Sequence, residues 1–408
     1  MIPMLRTLAA VALLAGSTSI AGAAAAAGLY GQWRVSFENH PGGPLPFTLD
    51  VREGKSGPQA FILNPPERLK VEQVQVTEGG ITLTFPSYNS RLELKAAPGG
   101  TLAGTATVLR SSGTVTLTAK AQRGSWRFTP GVVKPAGNVA GRWNIAYGPR
   151  AVKGLLLLKQ TGAQVTGTVQ LPTGDMRYLS GELNGNQLKL SAFDGSSTGL
   201  WSGTLSGDTL KGASFAATSG PGGNPWQATK EKQASINPVA VEKPGANRLS
   251  FRLPTPDGKL VSLDDPRYKG KVVVISIGGA WCPNCHDEAQ FLGPYAARRQ
   301  KDGLEMIGLQ FEYGTDQARA MRQITSFKAR YKLPYPMVYG GQPNDEDTKK
   351  VLGGLAPVKV WPSTIFIGRD GKVREVHVGW AGPATGALNA QVKREFDETV
   401  SRLLKEPA

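Results

Sequence analysis

From residue 29 to 230 apolar and polar side chains alternate over short segments, at 32–37, 47–52, 80–85, 91–95 and 114–119, divided by clusters of Gly, Pro, Asn and Ser. A period of two turns one face to a core and the other to water, so the pattern predicts strands joined by turns; no helical period competes with it. The later part is the more regular, with eight candidate strands at 143–147, 154–159, 164–171, 176–183, 187–193, 198–205, 210–215 and 226–230. Their short connections favour an up-and-down meander, which can close into a barrel and so lose its edges. Three short matches point to a duplication: Gly31-Gln32-Trp33 with Gly141-Arg142-Trp143, Leu102-Ala103-Gly104 with Leu210-Lys211-Gly212, and Trp126-Arg127-Phe128-Thr129 with Trp226-Gln227-Ala228-Thr229. We expect two tandem antiparallel β units, 28–134 and 135–230.

The texture changes after residue 230. Pro238, Pro244 and Gly245 among polar residues predict a linker over 231–246. Residues 271–277 then form an unbroken β-branched run, the mark of a central strand buried on both faces. Helical patterns at 284–300, 317–332 and 390–404 alternate with strand patterns at 304–310, 364–367 and 373–378. That alternation predicts an α/β domain with a mixed central sheet over 247–408.

The N-terminus bears on compartment. A single Arg6, a short apolar core at 8–16 and small residues at 21–28 fit a secretory signal peptide cleaved near residue 27. Gly16, Ser17, Thr18 and Ser19 break the apolar stretch, which is short for a retained anchor, and no cysteine is present there to be acylated. The expected location is periplasmic or secreted, with no stable membrane span after cleavage. Net charge is +16, dispersed as +9 over 28–230 and +6 over 231–408. With no basic run and no nucleic-acid module, the surplus reads as solubility and attraction to an anionic membrane surface, and no nucleic-acid partner is expected.

The chain has only two cysteines, and they sit together in Gly278-Gly279-Ala280-Trp281-Cys282-Pro283-Asn284-Cys285, directly after the predicted central strand. With Pro283 at the first helical position, Cys282 falls at the N-cap, where unpaired N–H groups and the helix dipole favour a thiolate. Cys282 is the predicted nucleophile. Cys285, one turn on, is placed to attack a mixed disulfide at Cys282. A structural staple is a poor alternative, because so short a loop removes little chain entropy. Zinc would want four ligands, and His40, His286 and His377 supply no second spaced pair, so no metal and no cofactor is assigned. His286 reads as a solvated helix residue that could assist a soft metal, which leaves copper handling as the runner-up reading of the pair.

Residues 247–405 resemble the thioredoxin-like, extracytoplasmic thiol-disulfide reductases of the TlpA/ResA group. The likeness rests on the opening Phe251-Arg252-Leu253-Pro254-Thr255-Pro256-Asp257-Gly258-Lys259, the 263–271 lead-in, the W-C-x-x-C, and Trp361-Pro362-Ser363-Thr364 before a strand and the Gly371 turn. It implies that Pro362 is cis and faces the cysteines, that the Trp361 backbone pairs with an incoming peptide, and that Trp281 covers the pair, although a buried aromatic would serve as core. It also implies that Glu288 lies beneath the pair and relays a proton, where sequence alone equally allows an exposed helical Glu. The family commonly has Pro soon after that Glu and at the second intervening position; this chain has Ala289-Gln290 and Asn284. Gly279 stands where a peroxiredoxin would need Thr or Ser. The implied activity is exchange with protein or peptide thiols and disulfides, with a membrane electron donor. A disulfide-forming oxidant, or a ligand-binding module with an appended thioredoxin domain, are the other readings. The G-x-W motif opening each β unit also resembles calycin barrels, in which the Trp plugs the barrel floor.

Overall fold

The computed structural model describes residues 28–124, 126–242, 248–355 and 358–407. The expected signal peptide lies outside them. Among the described residues no helix is long and apolar enough to cross a membrane.

Nine strands make the first antiparallel sheet: β1 (Gly31–Phe37), β2 (Leu45–Gly54), β3 (Gly57–Asn64), β4 (Glu67–Lys70), β5 (Gln73–Thr77), β6 (Gly80–Phe85), β7 (Ser90–Ala97), β8 (Thr101–Arg110) and β9 (Gly113–Gln122). Strands β3, β4, β5 and β8 were not among those expected from the sequence. The second sheet runs through β10 (Gly141–Tyr147), β11 (Val152–Thr161), β12 (Gln164–Leu171), β13 (Gly174–Asp175), β14 (Leu179–Asn184), β15 (Gln187–Phe193), β16 (Thr198–Ser206), β17 (Thr209–Phe215) and β18 (Asn224–Lys230). Pairing of β11 with β12, and of β12 with β14, closes this sheet into an up-and-down barrel. The first sheet stays open. Its β4 folds back onto β3, taking the edge that in the second sheet meets β14.

The duplication is visible in register. Val35 faces Ala121 as Ile145 faces Ala228, and those alanines face Leu102 and Leu210 respectively. Trp33 and Trp143 each donate from Nε1 to the carbonyl four residues earlier, at 2.9 and 3.0 Å, and each lies under a cation, Arg123 or Lys230. The third sequence match does not correspond: Trp226 lies within β18, whereas Trp126 follows the end of β9. It is a coincidence of composition. Phe193 of the barrel packs against both Phe37 and Phe47, with centroids 5.0 and 4.8 Å away, so the two sheets share one apolar cluster.

The third sheet is mixed and six-stranded, in the order β19 (Ala240–Glu242), β26 (Val373–Val378), β25 (Ser363–Ile367), β22 (Val272–Gly278), β23 (Leu304–Phe311), β24 (Met337–Gly341); β20 (Arg252–Pro254) pairs with β21 (Leu260–Ser262). Helices α1 (Pro283–Arg299), α2 (Gln317–Tyr331), α3 (Asp345–Leu352) and α4 (Ala387–Leu404) complete the α/β domain. Central β22 is buried at every position, as an unbroken apolar strand must be. The segment read as a linker is partly structured: β19 extends the third sheet, and Ala234 and Val239 pack with Leu155 of the barrel and Trp380 and Leu388 of the α/β domain.

Candidate active site

Strand β22 delivers the chain to the N-terminus of α1. Cys282 is the N-cap, in extended conformation, Pro283 follows at the first helical position, and the Cys285 N–H donates to Cys282 Sγ at 3.2 Å. Cys282 and Cys285 are joined in a disulfide, and each is only 3% exposed. Gly278 makes room for the bond, since a Cβ there would sit 3.3 Å from Cys285 Sγ.

Glu288 is buried, 2% exposed, and its two oxygens accept from Ser276 Oγ on β22 and Thr364 Oγ1 on β25, both at 2.7 Å. Burial lifts its carboxyl from the ordinary 4.5 to about 7, and the two hydroxyls only partly oppose that. A second buried carboxyl escaped sequence reasoning. Glu312, just after β23, accepts from the Ala280 N–H at 2.7 Å, while its other oxygen has no hydrogen-bond partner. Burial raises it to about 8. Nothing in its local pattern marks it, because its position depends on where β23 lies against the cysteine loop.

Trp281 is half-buried; its Nε1 donates to the Phe311 carbonyl at 2.8 Å and its ring stacks on Tyr313 and meets Trp361 edge-on. The Trp361–Pro362 peptide bond is cis. Trp281, Trp361 and Cys282 line one cavity, described below.

His286 is not solvated. It is 2% exposed, with Nδ1 2.7 Å from the Tyr331 hydroxyl and Nε2 2.7 Å from the Ala280 carbonyl. Tyr88 of the first sheet stacks on its ring at 4.0 Å. Burial holds the imidazole neutral, well below its usual range. The covering aromatic comes from about 200 positions away, which a helical period cannot reveal. His40 bonds to Thr198 and His377 faces Glu375, and among the described residues no three His, Cys, Asp or Glu side chains are grouped to hold a metal.

Arg177 was also missed. From the turn after β13 it donates to Glu67 of the first sheet at 2.6 Å and to Asp287 of α1 at 2.9 Å, with Asp194 of the barrel 3.8 Å from its Nε. One guanidinium thus ties both β sheets to the cysteine-bearing helix. Burial drives the Asp287 carboxyl up and Arg177 draws it back. Between the barrel and the disulfide lies a cavity of about 430 Å³, lined on one side by Cys282, Trp281 and Trp361 and on the other by barrel residues.

The C-terminal part of the chain is similar to known proteins. Residues 243–389 match the Redoxin family. The thiol-disulfide oxidoreductase ResA of Halalkalibacterium halodurans is 24% identical over 161 residues, covering 40% of this chain and 79% of its own length. The thiol:disulfide interchange protein DsbE of Yersinia pestis is 28% identical over 134 residues, 31% of this chain and 63% of DsbE, and that of Vibrio cholerae is 30% identical over 122 residues, 30% and 56%. The chain thus spans less than two thirds of either DsbE. A thioredoxin family thiol:disulfide interchange protein from Chlorobium tepidum has been solved; it is 20% identical, covers 39% of this chain and 97% of its own, and has a TM-score of 0.31. The C-terminal region is a Redoxin domain of thioredoxin-like fold, homologous to the thiol-disulfide oxidoreductases ResA and DsbE.

Proposed function

We propose that the protein is an extracytoplasmic thiol-disulfide oxidoreductase that reduces disulfides of protein or peptide substrates and is itself re-reduced by a membrane electron donor. The observation that carries the reading is Cys282 at the N-cap of α1, bonded to Cys285 one turn further on. In the reduced protein Cys282 attacks a substrate disulfide, helped by the α1 N–H groups and dipole. Cys285 then attacks the mixed disulfide and releases the reduced substrate. Glu288, neutral near pH 7 about half the time, exchanges a proton with the departing or attacking Cys285 sulfur, and its buried position beside Ser276 and Thr364 supports that relay. Trp361 and Pro362 present the backbone to the substrate segment, and Trp281 shields the sulfurs.

The unit boundaries at residues 134, 230 and 246 belong to the same proposal, with the α/β domain acting as the redox unit. Direction is tested by the reduction potential of the Cys282/Cys285 couple in the full chain. A value near the about −270 mV of thioredoxin is expected; one near the about −120 mV of a disulfide-forming oxidant would replace reduction with oxidation.

A further inference from the structure

The barrel formed by the second sheet has one closed end and one that faces the disulfide. Trp143, fully buried under Lys230, plugs the end where β10 begins. The opposite end, where β14 and β16 start and β15 finishes, opens on the cavity of about 430 Å³ beside Cys282. Met176, Leu179, Trp201 and Ala216 form its barrel wall, against Trp281 and Cys282. The hairpin of β12 and β13 holds the two walls together. With its amide turned to suit both partners, Asn284 donates to the Asp175 carbonyl and carboxylate at 3.1 and 3.2 Å and accepts from the Asp175 N–H at 3.3 Å. Asp175 also accepts from the Gly382 N–H at 3.0 Å. Gly174, at φ +135°, lets the hairpin approach, since a Cβ there would fall on the Asn284 amide.

Two features define what the cavity takes. Its volume lies in the range of small-ligand pockets, about 300–1,000 Å³, and Cys282 is 3% exposed, so a folded surface of the usual ~800 Å² per partner cannot reach the sulfur past the barrel. The charges at the rim include the carboxylates of Glu67, Asp175 and Asp194 around an Arg177 already paired, with Lys359 as the other cation, so an anionic thiol is disfavoured.

We propose that the barrel mouth is a specificity pocket, which receives an uncharged apolar group carried next to the reacting sulfur of a thiol or disulfide substrate. The inference rests on the exchange function proposed above. From the oxidised state, a substrate thiolate attacks Cys282 Sγ, the Cys282–Cys285 bond breaks, and its electron pair leaves on Cys285, which takes a proton. A second substrate thiolate attacks the mixed disulfide, forming a substrate disulfide and leaving Cys282 reduced. Two thiols lose two electrons and two protons, the cysteine pair gains them, and the reverse sequence reduces a substrate disulfide. The apolar group has two sources, a cysteine-bearing unfolded peptide or a free small thiol.

The test uses the full oxidised chain and measures its reduction by a Phe-Cys peptide, a Glu-Cys peptide, benzyl thiol and dithiothreitol, each rate corrected for thiol acidity. The Phe-Cys peptide should react at least about tenfold faster than Glu-Cys, the discrimination an apolar pocket provides. Acceleration of the peptide alone assigns the source to polypeptide, and acceleration of benzyl thiol as well assigns it to the shared group. Ala216→Trp, at an exposed loop position on the cavity wall, should lower the ratio of Phe-Cys to dithiothreitol rates by about tenfold. Met176→Ala, which enlarges the pocket, should move the preference from Phe-Cys to Trp-Cys. Equal Phe-Cys and Glu-Cys rates, or ratios untouched by both variants, would overturn the pocket while leaving the exchange function intact. No reaction with dithiothreitol would overturn the exchange function and the pocket with it.

Discussion

Replacing Glu288 by Gln should stabilise the protein and slow it at the same time. The carboxyl is buried and bonded to two hydroxyls, and it is lifted from the ordinary 4.5 to about 7. At about 1.4 kcal/mol per pKa unit, keeping the ionised form in place costs the folded state about 3 kcal/mol relative to the protonated form. The sign follows from proton binding. Between about pH 4.5 and 7 the folded protein holds a proton that the unfolded chain has lost, so the protonated form's advantage is full below 4.5 and disappears as pH rises through 7. Gln carries no charge and can still bond to Ser276 and Thr364. Its stability should match the wild type near pH 4.5 and exceed it by up to about 3 kcal/mol above pH 7. Glu312 is present in both proteins, so its own titration cancels in the comparison. Denaturant unfolding of both proteins at pH 5 and pH 8, with disulfide exchange rates on the same samples, supplies both readouts. The rate should fall by about a hundredfold, the usual worth of a positioned proton donor. Parallel stability profiles with an unchanged rate would refute the argument and leave Glu288 a packing residue.

Further outcomes follow from the same geometry. In the reduced protein Cys282 should be alkylated at lower pH than Cys285, because it alone caps α1; equal pH profiles would reverse or remove the assigned roles. Cys285→Ser should accumulate substrate adducts on Cys282, visible on gels run without reductant, and Cys282→Ser should not. Arg177→Met strands the carboxylates of half-buried Glu67 and of buried Asp287 and Asp194, and should cost about 3–5 kcal/mol by denaturant midpoint at pH 8. Acid should relieve part of that loss, as protonation discharges Asp287, whose carboxyl burial already drives up. Tyr88→Leu removes a stacked ring from His286 and should cost about 0.5–1.5 kcal/mol.

What sequence patterns reveal here is set by the range of the interaction. The all-buried strand Val272–Gly278, the helix opening at Pro283 and the barrel's period-two strands are local, and each is legible from neighbouring residues. Cys282, Cys285 and Glu288 follow from helix spacing on one element together with a family likeness. Glu312, Arg177 and Tyr88 did not emerge, since each reaches the cysteine loop or its helix from another sheet or strand. Their isolated residue types look like ordinary surface charges or a core aromatic. His286 was misjudged for the same reason: α1 has a solvent side in isolation, but the first sheet covers it. Segments β3, β4, β5 and β8 were not marked; β4 and β5 are short strands at the two edges of the first sheet, where little of the pattern is repeated.

The Asp175–Asn284 contact bears on modularity. Asn284 lies between the two cysteines, so the segment that carries the disulfide is gripped from outside its own domain. Proline at position 284 would have no side-chain amide to offer Asp175, and a side chain at position 174 would displace the amide already there. The redox domain is therefore not a portable cassette: cut from its barrel, it would keep its cysteines but lose the frame that holds their loop. Hairpin and motif have to change as a pair, and the barrel, which contributes no sulfur, is part of what holds the cysteine loop.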